Sequence, residues 1–327
     1  MTAPLHWGIL GTGRMARAFA KDLMLLADAH VTAVGSRELE SAHQFGEEFQ
    51  VPQRFGSYAE LAASAEVDVV YVATPHSLHC EHAILCMEAG KHVLCEKPFA
   101  LSAAQTRRMI TAAKAHGVFL MEAMWTRFIP AVARLRQLLA DEKIGPIQML
   151  LAGGAFIPDA NPDFYLFRRE LGGGVLLDAG VYLVSLASMV LGPPDRVAAL
   201  GAVTSGGVDD HEGMVLSHAS GALALLHVSL RTRASPDMTL LGSHGRIHVA
   251  APIFCPRWLV LTIPGAEEET MEFPFAGSGY RFQAEEAARC IAAARRESTV
   301  MPLAETLRIM ETLDDVRAQL GVTYPGE

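Results

Sequence analysis

Charge is scarce in this chain of 327 residues: Asp, Glu, Lys and Arg make up 19% of it, against 50% hydrophobic residues. That balance excludes a disordered or fibrous chain. Positive charge is the scarcer sign, with 27 Lys plus Arg against 36 Asp plus Glu, a net of −9 and a pI near 5.8. A basic nucleic-acid-binding surface is therefore not expected. Mean hydropathy is positive, +0.23, yet every long apolar run is broken by Gly, His or a charge, so no membrane partner is expected either. The five cysteines, Cys80, Cys86, Cys95, Cys255 and Cys290, are odd in number and irregularly spaced, which excludes a disulfide framework and predicts buried, reduced thiols. The opening Met1–His6 lacks the basic end and apolar stretch of a signal peptide, so a cytoplasmic location is expected. A Gly-x-Ser-x-Gly elbow, a Walker loop, zinc-finger spacing, internal repeats and long linkers are all missing.

At roughly 150 residues per domain the length suggests about two domains. From Leu5 to Leu120, short aliphatic runs (His6–Leu10, Val31–Ser36, Val67–Ala73, His92–Cys95, Val118–Met121) alternate with helical patterns (Met15–Leu26, Leu39–Phe49, Leu78–Ala89, Ala103–Ala115). This rhythm predicts βαβ units and a doubly wound parallel sheet. Gly90 and Gly117 stand where helix C-caps belong. After about Trp125 the pattern changes. A helix, Ala131–Leu139, leads to strands at Ile147–Ala155, Val197–Val203, Gly213–Ser217, Ala222–Ser229, Asp237–Leu241, Arg246–Val249, Trp258–Thr262 and Glu269–Phe273. Short turns between them predict a large, mostly antiparallel sheet. Helices near Phe282–Arg295 and Leu303–Leu320 close the chain. The fold class is thus α/β, a Rossmann domain over residues 1–124 followed by an α+β domain over residues 125–327.

The sharpest local motif is Gly11-Thr12-Gly13-Arg14-Met15-Ala16, Gly-x-Gly-x-x-Ala between a strand and a helix. Gly11 permits the tight turn, Gly13 lets backbone N–H groups approach a pyrophosphate, and Ala16 lets helix and strand pack closely. At the end of the second strand, where a carboxylate would hold the ribose of NAD, the chain has Ser36-Arg37. Ser36 can donate to a 2′-phosphate and Arg37 can pair with it, which favours NADP over NAD; the other reading of Arg37 is a solvated residue opening the next helix. Thr74-Pro75-His76 and Glu96-Lys97-Pro98 follow two further strands, at the carboxyl ends where open α/β sheets bind ligands. Pro98 also offers a cis peptide.

These motifs, with Gly172-Gly173-Gly174-Val175-Leu176-Leu177-Asp178-Ala179-Gly180-Val181-Tyr182, resemble the glucose-fructose oxidoreductase/inositol dehydrogenase (Gfo/Idh/MocA) family over essentially the whole chain. Met121–Phe128 and the ending Gly321-Val322-Thr323-Tyr324-Pro325 are similar to its dimeric dihydrodiol dehydrogenase branch, whose members also oxidise D-xylose with NADP. The resemblance implies hydride transfer between NADP and a sugar or cyclic diol, with Tyr182 as general acid/base, Lys97 as its electrostatic partner and substrate anchor, and Asp178 orienting a second hydroxyl or the lysine. A nearby ammonium lowers a tyrosine pKa from its usual value of about 10. Inositol, glucose or anhydro-sugar oxidation or reduction, and a non-catalytic NADP sensor, are the alternatives; Asp178 as a helix cap and Tyr182 as a core aromatic are the structural ones.

The cofactor set expected is Gly11, Thr12, Gly13, Arg14, Met15, Ser36, Arg37, Thr74, Pro75, His76, His79, Glu96 and Lys97. Trp125, Phe156, Tyr280 and Phe282 could wall a sugar or aromatic diol, and Arg127 could hold a phosphate, a substrate oxygen or merely a nearby carboxylate. His76, His79, Cys80, His82 and Cys86 are the best metal-like cluster, but no second pair of soft ligands has matching spacing, so no metal is expected. A partly apolar outer sheet face predicts a homodimer through the second domain, with a tetramer as the alternative.

Overall fold

The computed structural model describes residues 4–158, 161 and 164–327; Met1–Ala3 of the opening segment lie outside them. In the first sheet β1 (Leu5–Leu10), β2 (Ala29–Gly35), β3 (Gln53–Phe55), β4 (Val69–Val72), β5 (His92–Glu96) and β6 (Leu120–Ala123) run parallel in the order β3-β2-β1-β4-β5-β6. The central strands are apolar throughout because helices cover both faces: Ile9, Leu10, Val69, Val70, Val72, Val93 and Leu94 are fully buried. Helices α1 (Arg14–Leu23), α2 (Leu39–Phe49), α3 (Tyr58–Ala63), α4 (His79–Glu88) and α5 (Ala103–His116) supply the crossovers. Gly90 and Gly117 have φ of 78° and 62°, the left-handed caps their positions predict. β3 and α3 have no counterpart in the sequence pattern. Three half-buried residues at a sheet edge leave no alternation to detect, and α3 is a six-residue helix begun by Ser57, whose side chain accepts from Glu60 N.

The second sheet comprises β7 (Ile147–Ala155), β8 (Pro194–Val203), β9 (Asp209–His218), β10 (Leu223–Ser229), β11 (Ala234–Gly242), β12 (Arg246–Val249), β13 (Trp258–Thr262) and β14 (Glu269–Glu272). Its order is β14-β13-β12-β11-β7-β10-β9-β8, and every pairing except β10 with β7 is antiparallel. Helices α6 (Pro130–Ala140) and α7 (Val181–Leu191) pack on it. The alternation in β10 is strict, Ala224, Leu226 and Val228 buried and Leu223 and Leu225 exposed. On the outer face Leu225 stands in register with Leu151 and Val215, all exposed. Arg169–Leu191 is long and apolar enough to cross a membrane by length and composition, but it contains the three glycines and Asp178, and 67% of its apolar window is buried in the fold.

The chain groups into two compact units. One joins residues through Ala100 to Ala104–Trp125 and Ala276–Leu307, which includes α8 (Arg281–Ala292); the other holds Leu101–Ala103, Thr126–Phe275 and Arg308–Glu327, with most of α9 (Leu303–Leu320). A single cut between residues 124 and 125 does not describe this division, because Ala276–Leu307 returns to the first unit. The cause is local: Asp22, on α1 and 1% exposed, accepts from the backbone N–H groups of Ser278, Gly279 and Tyr280 at 2.7–3.1 Å, which neutralises its burial.

Candidate active site

In the first unit the strand order reverses between β1 and β4, the switch point at which doubly wound sheets open a crevice. Gly11 turns there with φ 108°, and a Cβ on it would lie 2.7 Å from the Ala73 carbonyl oxygen, so only glycine fits. Gly13 differs. A Cβ there would meet nothing within 4 Å, and the first turn of α1 carries no acidic residue. Open space in front of an uncapped helix N-terminus suits a pyrophosphate. Thr12, Arg14 and Met15 complete this turn, and Ala16 is fully buried against the sheet.

Ser36 is buried at the end of β2, its N–H donating to Phe55 O at 3.1 Å, while Arg37 is exposed. Burial raises the pKa of the Tyr58 hydroxyl, and the charge of Arg37 acts on it in the opposite sense. Tyr58 meets His82 edge-on at 4.5 Å, and His82 Nδ1 lies 3.0 Å from Thr74 Oγ1. The charge of Arg37 acts on both Tyr58 and His82, so the Ser36-Arg37 corner and the Thr74 turn share one electrostatic neighbourhood. The sequence pattern does not show this, because the helix that carries Tyr58 is too short to stand out.

His79 is fully buried. Its Nδ1 and Nε2 are each 2.8 Å from a carbonyl oxygen, those of Pro98 and Thr74. Burial, with the His76 ring 5.7 Å away, lowers its pKa to about 3, so the ring is neutral at neutral pH and its single N–H donates to one of the two carbonyls. His79 is therefore packed between the two turns that carry Thr74-Pro75-His76 and Lys97-Pro98, rather than lining them as a surface residue. Glu96 is likewise committed: it accepts from the Tyr71 hydroxyl and, at 3.2 Å, from Lys97 N–H, while Tyr71 stacks on Phe19. Lys97 is buried, and its bond to Pro98 is cis. Among the described residues no group of three or more His, Cys, Asp or Glu is arranged to hold a metal, and Cys80, Cys86, Cys95 and Cys290 form no disulfide. Trp125 and Tyr280 meet at 4.2 Å, and the Arg281 guanidinium lies 4.9 Å from the Phe282 ring.

In the second unit the glycine run leads into a π-helical turn, Leu176–Gly180, that continues as α7. Asp178 and Tyr182, both half-buried, stand on this junction. Asp178 Oδ1 accepts from the Tyr165 hydroxyl at 2.9 Å, and the Tyr182 ring tilts against Phe254 at 5.8 Å. The turn that carries Asp178 and leads to Tyr182 is a π turn, wider than an α-helical one, a distortion that recurs at functional sites. Arg127 does not fit an exposed substrate contact. It is 1% exposed, with Nε and Nη2 bonded to Ser185 Oγ and O at 3.0 and 2.6 Å, and it pins its loop to α7. Phe156 is partly exposed just past the end of β7, its N–H donating to Ser229 O.

Residues 5–124 match the model of an oxidoreductase family with an NAD-binding Rossmann fold, and residues 132–248 match the GFO/IDH/MocA C-terminal domain. The chain is 36% identical to trans-1,2-dihydrobenzene-1,2-diol dehydrogenase of Sus scrofa over 334 residues and 36% identical to that of Danio rerio over 335, covering 98% of each chain in both cases. Among solved structures it is similar to a 3-ketoreductase from Actinomadura kijaniata in complex with NADP and TDP-benzene, with a TM-score of 0.85, 26% identity and coverage of 97% and 98%. Levoglucosan dehydrogenase in complex with NADH shares the fold, with a TM-score of 0.89 at 20% identity over 97% of both chains. A nicotinamide dinucleotide fits the turn at Gly11–Ala16, and the motifs of both domains agree: the chain belongs to the Gfo/Idh/MocA family of oxidoreductases, dehydrogenases acting on sugar or diol CH–OH groups.

Proposed function

We propose that this oxidoreductase is an NADP-dependent dehydrogenase of a cyclic trans-diol or of an aldose such as D-xylose. The observation that carries the proposal is full-length similarity to dihydrodiol dehydrogenases together with the presence of Lys97, Asp178 and Tyr182 in the family's motifs. A non-catalytic sensor has no need of a proton relay. When bound, the nicotinamide supplies the two-electron acceptor for the carbinol carbon. Tyr182 takes the proton of the reacting hydroxyl in oxidation and returns it in reduction. Lys97 contributes positive charge that favours the phenolate. Asp178, held by Tyr165, orients a neighbouring hydroxyl of the substrate. Trp125, Tyr280, Phe282 and Phe156 offer apolar ring faces to it. The preference for NADP is supported by the absence of a carboxylate at Ser36-Arg37 and by the exposed Arg37 guanidinium there.

The row Leu151, Leu225 and Val215 on the outer sheet face supports a homodimer that covers it. Sedimentation as a stable monomer at micromolar concentration would exclude this. The buried thiols of Cys80, Cys86, Cys95 and Cys290 form no disulfide, which suits a reducing compartment, in keeping with a cytoplasmic protein. The test of the reaction is initial-rate formation of NADPH over a panel of aldoses, inositols and cyclic trans-diols, run in parallel with NAD and with Tyr182→Phe. Turnover of a diol or aldose with NADP, lost by about two orders of magnitude or more in the variant, is the expected result. NADP binding without turnover of any panel member would overturn it.

A further inference from the structure

The segment that carries Asp178 and Tyr182 rests on polar groups outside its own motif. Asp209 and Glu212 on β9 are 0% and 3% exposed. The register of β8 against β9 shifts between Ala202 and Val203, leaving one extra residue in β9, and this bulge lets two acids three positions apart both be buried. Asp209 Oδ2 accepts from Leu176 N–H at 2.6 Å. A Cβ on Gly174 would come within 2.2 Å of Asp209 Oδ1, and one on Gly180 within 3.4 Å of Glu212 Oε1. The two carboxyls therefore lie under both ends of the turn.

The carboxy-terminal motif reaches the same place. The Tyr324 hydroxyl donates to Gly173 O at 2.6 Å. Arg169 fixes the neighbouring residue, its Nε and Nη2 each 2.6 Å from Thr323 O and Oγ1. The Arg317 guanidinium lies 5.1 Å from the Tyr324 ring. Among the described residues no donor from backbone, amide or hydroxyl reaches Asp209 Oδ1 or either Glu212 oxygen. Burial, then the charge of Asp209, holds the Glu212 carboxyl well above the usual carboxylate range, so it keeps its proton. Burial likewise keeps Tyr324 protonated and able to donate.

We propose that Asp209, Glu212 and Tyr324 are positioning residues, a buried brace that fixes the backbone of Gly173–Gly180 and so the aim of Asp178 and Tyr182. The consequence for turnover rests on the reaction proposed above; the effect on the backbone does not. Proton transfer needs reacting atoms aligned to within a fraction of an ångström, and a small displacement of Tyr182 lowers kcat without weakening cofactor binding.

The experiment combines backbone amide exchange over residues 173–182 with steady-state kinetics on wild type, Tyr324→Phe, Glu212→Ala and Glu212→Gln. Faster exchange in that segment and a kcat lowered about fivefold or more, with the KM for NADP unchanged, are expected for Tyr324→Phe and Glu212→Ala. Glu212→Gln is expected to restore both, because its amide is a neutral group of the same size and shape beside Gly180, as the protonated carboxyl is. Wild-type exchange and kcat in Tyr324→Phe and Glu212→Ala would overturn the brace. So would a Gln variant no better than Ala, since a neutral side chain filling that place would then not suffice. Exchange is read without turnover, so wild-type protein inactive on every diol and sugar overturns the reaction while the exchange data still decide the brace.

Discussion

Two glycine-rich segments prepare this enzyme for chemistry, and they differ in what holds them. The Gly11–Ala16 turn is shaped by its immediate neighbours: β1 delivers it, α1 leaves it, and the carbonyl of Ala73, just past the end of the adjacent strand β4, forbids a side chain at Gly11. The Gly172–Tyr182 segment is held by residues distant in sequence. Asp209 caps Leu176, Tyr324 binds Gly173, and Glu212 sits beside Gly180. A local motif can be recognised from a few residues, whereas the second segment has its motif in one place and its support in two others.

The comparison is broken most strongly by a methyl group at each turn. Gly11→Ala and Gly174→Ala both combine a positive φ with a Cβ inside contact distance of a polar oxygen, 2.7 Å from Ala73 O and 2.2 Å from Asp209 Oδ1. Each should lose about 2 kcal/mol or more of stability, read as a lower midpoint in urea. Gly13→Ala is the contrast: it has room in the protein, so its midpoint should match wild type while NADP affinity, measured by fluorescence titration, falls about tenfold or more. A Gly13→Ala protein that binds NADP normally would remove the pyrophosphate from that turn.

A smaller effect sharpens the first region. Arg37→Ala should lower the preference for NADP over NAD by roughly tenfold in kcat/KM, and Tyr58→Phe should do so more weakly in the same direction. An unchanged ratio in both would return Arg37 to the role of a solvated helix-opening residue.

The smallest effect concerns pH in the second region. Because burial raises the folded-state pKa of Glu212, the folded protein holds a proton that the unfolded chain releases above the ordinary carboxylate range. The contribution of Glu212 is thus fully present below that range and is lost as pH rises towards the folded pKa. Glu212→Gln does not titrate, so its melting temperature should gain on wild type from mildly acid to alkaline pH. A difference independent of pH would show that Glu212 is ionised in the fold.

The amino-acid sequence by itself determined the two architectures, since period-two and helical patterns report which faces are buried, and β7, β12, β13, α2 and α9 begin and end where those patterns do. It also determined the dinucleotide turn, because Gly11 and Gly13 act through backbone conformation and through space next to their own helix. Tertiary structure alone decided the rest. Arg127 is committed to Ser185, His79 to the Thr74 turn, Glu96 to Tyr71 on β4, and Ala276–Leu307 to Asp22, through partners at least five and mostly dozens of residues away. No sequence period reports such pairings. A buried polar group takes whichever partner the folded backbone brings within hydrogen-bond reach, and that distance is a property of the packed chain.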